Sequence, residues 1–352
     1  MKHYIIPVFI PHLGCLHQCI FCNQKKITGR QTPVTPEQVA KVIHERLATI
    51  NQPRLIEVAF YGGSFTALSE SIQNELLAPA SQALRSGQIH AIRLSTRPDC
   101  ISGRVIANLC KQGVTIVELG VQSLDDTVLF RSARGHSSQV VVEAVRQLKD
   151  SGISCGLQLM PGLPGEDWSS LIGTVRQTID LGPDFVRIYP VVVIAGTMLA
   201  ELYNQGVYHP LTIAQAVSRS AYMKLVFERR GIEVIRTGLQ ASEELDSQAN
   251  VLAGPYHPAF GELVDSHIFF LMLAGFIEQY SLCFETDLII CHHPRDSSKV
   301  RGQYNHNIIL LKARYNLPTV KLCADSTVKK GTLLLINDGL SYELNKNMIN
   351  HI

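Results

Sequence analysis

The chain has 352 residues, of which 46% are hydrophobic and 18% are charged. This composition supports a substantial buried core, with one large domain and a smaller one. The formal net charge of +2 is too small to identify a nucleic-acid-binding protein and does not exclude one. The first apolar run is too short for a secretory signal, and no stretch approaches the roughly 18 apolar residues of a membrane span. Because the nine cysteines are an odd number, we expect a reducing, cytoplasmic location.

Strand-like and helix-like segments alternate along most of the chain. The apolar runs predict strands at 4–10, 55–60, 89–95, 114–120, 153–160, 184–190 and 232–236. Helix caps and helical periodicity predict helices at 36–49, 69–85, 102–112, 137–150, 167–181, 196–205 and 212–229. Six β/α steps with short connections indicate a parallel sheet with right-handed crossovers. We therefore predict an α/β fold, a partial (β/α)6 TIM-like barrel, over residues 1–240.

The pattern changes after about residue 240, at a turn-rich connector that includes residues 254–261. Beyond it, 260–279 is predicted to be helical. Strands are predicted at 283–291, 306–314 and 333–336. Residues 241–352 are therefore expected to form a small C-terminal α/β or α+β domain, or a cap over the barrel.

Three cysteines, Cys15, Cys19 and Cys22, stand just past the first predicted strand with the spacing C-x3-C-x2-C. Three thiolates on one loop can hold three irons of a [4Fe–4S] cluster and leave the fourth iron open to a small molecule. Electron-transfer ferredoxins normally supply a fourth cysteine. A zinc site completed by His12 or His17 fits the spacing as well. The position at the carboxyl end of a strand, where α/β proteins place their chemistry, favours the cluster.

Each later strand end also carries a polar or glycine-rich element. In chain order these elements are Gly62-Gly63-Ser64, Arg97 with Asp99, Gln122 followed by Arg134, the turn 160–165, and Tyr189. A purely structural sheet does not need a polar or glycine-rich element at each strand end. The carboxyl edge of the sheet is therefore predicted to be a reaction site.

Together these motifs resemble the radical S-adenosylmethionine (radical-SAM) superfamily, and within it the Elongator catalytic-subunit family. The segments that carry the resemblance are Cys15-Leu-His-Gln-Cys19-Ile-Phe-Cys22, Gly62-Gly63-Ser64-Phe65, Thr96-Arg97-Pro98-Asp99, Gly120-Val121-Gln122-Ser123, Arg134-Gly135-His136, residues 160–164 and residues 188–190. The oxygen-independent coproporphyrinogen oxidases are similar more distantly, through the cysteines, the Gly-Gly turn and Gly-Val-Gln.

The resemblance implies two cofactors, a [4Fe–4S] cluster held by the three cysteines and S-adenosylmethionine (SAM) bound at the open iron. Gly62, Gly63 and Ser64 are implied for the methionine amino group. Arg97, Gln122 and Arg134 are implied for the SAM carboxylate and ribose. An electron from a donor such as flavodoxin or ferredoxin then cleaves SAM, and the 5′-deoxyadenosyl radical takes hydrogen from a substrate. No residue is singled out as catalytic.

Two departures from the Elongator pattern leave the substrate open. Residues 241–352 show no glycine-rich acetyl-CoA turn, and the basic extension that precedes the cysteines in that family is not found. One hypothesis is that the enzyme modifies RNA, such as tRNA. A second is that it acts on a small metabolite or cofactor precursor. A third is a non-enzymatic iron–sulfur or zinc sensor.

A second group of metal-binding residue types lies near the C-terminus. Cys283, Cys291, His292 and His293 fall within eleven positions of each other. Such a group is compatible with an auxiliary metal site. The alternation of Cys283 and Cys291 equally suits the buried face of a strand.

Overall fold

The computed structural model describes residues 2–10, 15, 17–23, 34–52, 54–240, 250–280, 288–337 and 339–349. The chain folds into two compact units. The first contains residues 1–212 and 232–256, and the second contains 213–231 and 257–352.

The first unit is built on a seven-stranded parallel sheet that curls into an open half-barrel. Its strands, in spatial order, are β1 (Lys2–Phe9), β2 (Arg54–Tyr61), β3 (Ala91–Thr96), β4 (Val114–Gln122), β5 (Ser154–Leu159), β6 (Phe185–Ile188) and β8 (Glu233–Thr237). Every neighbouring pair is parallel, so all the carboxyl ends lie at one edge. The predicted partial barrel is confirmed.

The helices of this unit have amphipathic sequences that cover the sheet. They are α1 (Pro36–Ala48), α2 (Glu70–Arg85), α3 (Gly103–Lys111), α4 (Asp126–Arg131), α5 (Ser138–Asp150), α6 (Trp168–Leu181) and α7 (Met198–Asn204). Helix α1 begins at a capping box in which Thr35 and Gln38 satisfy each other's backbone N–H groups. On α5 the buried Val141, Val145 and Leu148 recur at helical spacing. A short antiparallel pair, β7 (Val193–Ile194) and β9 (Val251–Ala253), completes the unit.

The second unit surrounds a long apolar helix. Its helices are α8 (Ile213–Arg229), α9 (Phe260–Gln279), α10 (Ser297–Arg301) and α11 (His306–Tyr315). Its strands are β10 (Leu288–His292), β11 (Val320–Ala324), β12 (Thr332–Asn337) and β13 (Leu340–Asn345), in the spatial order β11-β10-β12-β13. The pair β10–β11 is parallel, and the other pairs are antiparallel. This mixed sheet with helices agrees with the small C-terminal domain expected from the sequence.

Helix α9 passes a length-and-composition test for a membrane span, which the sequence analysis did not anticipate. More than half of that stretch is buried inside the protein, including Phe269, Leu273 and Ile277. The burial is that of the core helix of a folded unit.

Two details of the second unit differ from the sequence-based expectation. The segment 306–314, predicted as a strand, is the helix α11; its buried Asn307 and Leu311 are four residues apart, which is the helical period that its apolar run concealed. The helix α8 belongs to the second unit, where it packs against α9, and the chain then returns to the first unit for β8. The single boundary near residue 240 is therefore replaced by an exchange of segments.

Candidate active site at the carboxyl edge of the half-barrel

The cysteine segment follows β1 at the carboxyl edge of the sheet. Cys19 is buried, Cys22 is half-buried and Cys15 is exposed. The backbone N–H of Cys22 donates to the carbonyl of Cys19 at 3.1 Å, which closes a turn. Both backbone groups of Ile20 are hydrogen-bonded. Its N–H donates to Ser132 O, and its carbonyl accepts from Leu199 N. The end of α4 and the start of α7 therefore hold the backbone between Cys19 and Cys22.

Two guanidinium groups converge on the buried thiol. Arg134 Nη1 lies 3.0 Å from Cys19 Sγ, and Arg97 Nη1 lies 3.7 Å from it. Asp99 holds Arg97 through two hydrogen bonds of 2.9 Å, and Arg97 also donates to the backbone carbonyl of Arg134. We call Cys19, Arg97, Asp99 and Arg134 the thiol corner. The strand ends of β3 and β4 thus meet the cysteine segment, as the sequence predicts for residues at one edge of a parallel sheet.

The charges of the thiol corner support each other. Burial acts to raise the pKa of Asp99, but the hydrogen bonds and positive charge of Arg97 outweigh it and hold that pKa below its usual range. His17 approaches Asp99 at 3.8 Å. Asp99 therefore stays ionised and keeps the fork of Arg97 in place.

The Gly-Gly turn lies beside the first cysteine. Ser64 Oγ is 3.6 Å from Cys15 Sγ, and Ser64 itself is buried. Gly62 has φ +98°, a conformation that side-chain-bearing residues rarely adopt. The turn therefore brings exposed backbone next to the cysteine segment.

Gln122 occupies an unusual backbone position at the end of β4. Its φ is +75°, and the pairing of β4 with β5 shifts register between Gly120 and Gln122. Its Oε1 accepts from Gln158 Nε2 at 3.1 Å. Arg134 donates to the carbonyl of Gly120, and a Cβ at Gly120 would stand 2.9 Å from Gln122 Nε2. The glycine thus allows Gln122 and Arg134 to pack over the same strand end.

The thiol corner and its surroundings contain buried polar atoms without partners. In the described part of the chain, nothing accepts from Arg134 Nε, and His136 Nε2 has no hydrogen-bond partner. Burial, and secondarily the charge of Arg134, lowers the pKa of His136 to about 4. Buried polar atoms are normally satisfied, so Arg134 Nε and His136 Nε2 each have hydrogen-bonding capacity that the described residues leave unused.

The sequence allows two metal groups at the three cysteines, a [4Fe–4S] cluster and a zinc ion. Among the described residues, no three His, Cys, Asp or Glu side chains, the three cysteines included, are gathered at metal-ligand spacing. The ring of His17 lies against Gly135 and faces Asp99, and His12 lies outside the described residues. By its chemistry rather than its spacing, a segment with three thiols and two cations beside Cys19 suits an anionic cluster ligated by thiolates. The tetrahedral zinc alternative has no fourth ligand in the described part of the segment.

Sequence reasoning missed a buried ionic network inside the half-barrel, which we call the floor network: Glu57, Arg93, Glu118 and Arg187. Arg93 donates to Glu57 and to Glu118 at 2.8 Å each, and Arg187 pairs with Glu118 at 2.6 Å. All four lie on adjoining or nearby strands, β2, β3, β4 and β6. The available signal was a charged residue flanked by apolar residues in the interior of each of these strands.

Two tyrosines cap the floor network on the side of the strand ends. Arg187 donates to the hydroxyls of Tyr61 and Tyr189 at 3.1 and 2.9 Å, and the hydroxyl of Tyr61 donates to Glu118. Burial and the charge of Glu118 raise the pKa of Tyr61 far above its usual value. The strand-end Tyr189 singled out from the sequence is thus hydrogen-bonded to Arg187.

The candidate auxiliary metal site is not assembled in the described residues. Cys283 lies outside them. Cys291 stands opposite Cys323 in the β10–β11 register, whereas the adjacent His292 points to the other face and is buried. His293 starts the next turn by accepting from the N–H of Arg295. These residues are therefore divided between the two faces of a strand.

Comparisons with known proteins agree with the geometry. Residues 9–178 match the family model described as the radical SAM superfamily, and residues 183–269 match the model of the radical-SAM C-terminal domain. A relative named tRNA uridine(34) acetyltransferase, from Methanocaldococcus jannaschii, is 30% identical over 266 residues, which cover 64% of this chain and 49% of the relative. The heme chaperone HemW of Bacillus subtilis is 24% identical and covers 72% of this chain and 68% of its own.

A solved structure shows the same fold. The archaeal Elp3 of Methanocaldococcus infernus with an N-terminal deletion superposes with a TM-score of 0.60 at 25% identity, and covers 80% of this chain and 64% of that chain. The present chain spans about half the length of the acetyltransferase relatives that it matches.

Proposed function

The chain belongs to the radical-SAM superfamily, whose enzymes use a [4Fe–4S] cluster and SAM, and from this premise we propose that Cys15, Cys19 and Cys22 hold the cluster. The observation that carries the proposal is the position of Arg134, which contacts the Cys19 thiol and the Gly120 carbonyl at once. The cysteine segment and the end of β4 are thereby one site. When bound, the cluster and SAM supply one-electron chemistry and a 5′-deoxyadenosyl radical that takes hydrogen from the substrate.

The residues of the strand ends bind and orient SAM in this proposal. The backbone of Gly62 and Gly63 receives the methionine ammonium group, and Ser64 borders it. Arg134 holds the SAM carboxylate, because its buried Nε has no partner in the described part of the chain. Gln122 takes the ribose. The guanidinium group of Arg97 is hydrogen-bonded to the carboxylate of Asp99. In this proposal Arg97 orients Arg134 by donating to the backbone carbonyl of Arg134.

We further propose that the substrate is RNA, and specifically a tRNA. The support is the similarity to relatives whose names are those of tRNA-modifying enzymes, over 64% of this chain. The reductant is proposed to be a small electron-transfer protein of the flavodoxin or ferredoxin type. The similarity to a heme chaperone favours a second candidate, a small cofactor or metabolite as substrate.

The test is anaerobic reconstitution with iron and sulfide, followed by metal analysis and by measurement of reductant-dependent 5′-deoxyadenosine release. Cys19→Ser is expected to lose the cluster and to reduce SAM cleavage to background. Cys110→Ser, on an exposed cysteine of α3, is the matched control and is expected to behave as the unsubstituted protein. A zinc-loaded protein without iron, or a cluster with no SAM cleavage, would overturn the proposal in favour of the sensor hypothesis.

The substrate class is tested by adding total tRNA to the same assay. Stimulation of 5′-deoxyadenosine release well above the rate without RNA supports RNA modification, and the product nucleoside is then identified by mass. Unchanged release with tRNA contradicts the RNA substrate and directs the search to small molecules.

A further inference from the structure

The second unit has its own parallel strand pair, and the loops at the carboxyl ends of that pair are joined. The loop after β10 and the loop after β11 meet because Asp296 Oδ2 accepts from Gly331 N at 2.8 Å. Asp325 N donates to His292 O at 2.8 Å, which fastens the second loop to the end of β10. As in other α/β arrangements, ligand-binding groups are expected where parallel strands end.

This region is the most basic part of the second unit. Residues 293–330 contain eight Lys or Arg against two Asp or Glu, a net charge of +6, whereas the whole chain carries +2. Both acids are used internally. Asp296 is 1% exposed and accepts from Gly331, and Asp325 accepts from the N–H and hydroxyl of Thr327.

Four cations in the segments that follow β10 and β11 are exposed: Arg295, Arg301, Lys329 and Lys330. Within the described ranges, none of them has a carboxylate partner. Lys299, in contrast, is paired with Asp265 at 2.6 Å, and Arg314 is paired with Glu278 at 2.7 Å. We call the four exposed residues the basic edge. Its uncompensated charge is available to a polyanion.

An aromatic residue, Tyr304, lies between Arg301 and Lys329 in the sequence. Tyr304 is 89% exposed and gains no burial within the protein. Its backbone and that of Asn305 adopt left-handed conformations, with φ of +53° and +61°. Two successive non-glycine residues in that region are strained, and such strain occurs at ligand-binding positions.

The turn that carries Tyr304 is firmly anchored. Asn307 is 3% exposed, and its Nδ2 donates to the carbonyls of Lys299 and Val300 and to Ser266 on α9. The ring is therefore presented from a fixed backbone, so its ordering cost is partly met before a ligand binds.

We propose that the basic edge and Tyr304 form an RNA-docking surface, in which the cations contact phosphates and Tyr304 stacks on an unpaired base. This inference deepens the proposed function and rests on its RNA substrate. An acidic electron-transfer protein is the competing partner for a basic surface. The fully exposed aromatic ring favours RNA, because single-stranded RNA is recognised by phosphate contacts together with base stacking on aromatic side chains.

The experiment measures tRNA binding to the reconstituted 352-residue chain by fluorescence anisotropy across a salt series. Lys329→Glu/Lys330→Glu is expected to weaken binding by about tenfold or more and to reduce the slope of log K against log salt by about 1.4 to 1.8. The matched control is Lys41→Glu/Lys111→Glu, the same charge change on exposed positions of α1 and α3. It is expected to leave both quantities nearly unchanged.

The aromatic contact is tested separately. Tyr304→Leu is expected to weaken binding about five- to a hundredfold with an unchanged salt slope, and Tyr304→Phe is expected to retain binding. Circular dichroism of each variant establishes that it is folded.

SAM cleavage without RNA is measured in parallel with a chemical reductant. Failure of the docking surface can therefore be distinguished from failure of the proposed function. Loss of RNA affinity with unchanged RNA-free SAM cleavage supports the docking surface. Normal RNA binding by both basic-edge and Tyr304 variants overturns the docking surface and leaves the RNA substrate standing. Absence of RNA binding by the unsubstituted protein overturns both, while SAM cleavage still reports on the enzyme class. A defect seen only with a protein reductant identifies the electron donor as the partner and also overturns the inference.

Discussion

The floor network and the thiol corner both contain buried arginines, yet they differ in whether a carboxylate balances the charge of those arginines. In the floor network, Arg93 and Arg187 each meet carboxylates, and Arg187 also meets two tyrosine hydroxyls. In the thiol corner, Arg134 contacts a thiol and a carbonyl, and no carboxylate of the described part of the chain pairs with it. Arg93 and Arg187 lie on β3 and β6, whereas Arg134 follows α4.

The contrast separates structure from function within one half-barrel. A buried network whose charges are paired contributes by joining strands and needs no further counter-ion. A buried arginine without a carboxylate partner is costly for the protein alone and becomes favourable when an anionic ligand pairs with it. Substitutions in the floor network should therefore act mainly on stability, and substitutions in the thiol corner mainly on cofactor binding.

The largest effect is expected from Glu118→Gln. The change keeps the side-chain shape but leaves Arg93 and Arg187 without a shared counter-charge, so we expect the free energy of unfolding to fall by about 3 to 5 kcal/mol in urea denaturation. Glu143→Gln, which breaks an exposed pair with Arg146, is the control and should cost less than about 1 kcal/mol. Equal losses in the two variants would show that the floor network is not held by its charges.

A packing change below the network should come next. A Cβ at Gly156 would overlap the ring of Phe185, and that ring lies under Arg93 with 5.0 Å between the guanidinium carbon and the ring centre. Gly156→Ala is therefore expected to cost about 3 kcal/mol by thermal or urea unfolding. Gly173→Ala on α6 has no described atom within 4 Å of the new Cβ and should stabilise by about 1 kcal/mol. A neutral Gly156→Ala would contradict the described packing.

In the thiol corner, Arg134→Met is expected to weaken cofactor binding and to leave stability nearly unchanged. The apolar side chain removes a poorly satisfied buried charge, so unfolding should change by no more than about 1 kcal/mol. SAM affinity, measured by equilibrium dialysis on the reconstituted protein, should fall about 10- to 100-fold. A variant that binds SAM normally would remove Arg134 from the proposed carboxylate site.

The smallest effect concerns acid stability. Burial, aided by Arg134, lowers the pKa of His136 to about 4, below the ordinary 6.5. Between those values the unfolded chain binds a proton that the folded chain does not, so stability decreases as pH falls from about 6.5 to 4. We expect His136→Gln to reduce that decrease by about 2 kcal/mol, as read from urea unfolding at pH 7 and pH 5. Parallel pH profiles for the two proteins would contradict this assignment.

The sequence predicted the half-barrel well because its strands are mainly apolar runs between capped helices. Thr35 and Ser69 cap helices as expected, and both signals are local. The helix α11 was mistaken for a strand because its apolar run of four residues fits either period. The assignment of α8 to the second unit depends on packing against α9, which no local signal reveals.

The candidate site was predictable in its membership but not in its contacts. Parallel topology alone places Cys19, Arg97, Gln122 and Arg134 at one edge. The pairing of Arg97 with Asp99, and the contacts of Arg97 and Arg134 with Cys19, depend on side-chain geometry that no local pattern reveals. The floor network was missed because a charged residue inside a strand is compatible with an exposed position until its partners on other strands are known.

The separation in sequence between Cys19 and its partners determines how long the Cys19 thiol stays uncovered during synthesis. Arg97 follows Cys19 by 78 residues and Arg134 follows it by 115. At a synthesis rate of about 5 to 20 residues per second, Arg134 leaves the ribosome about 6 to 23 seconds after the cysteine that it covers. During that interval the nascent thiol is open to oxygen and to stray metals, so cells that make this protein in air should lose part of it before the half-barrel has closed around the cysteine.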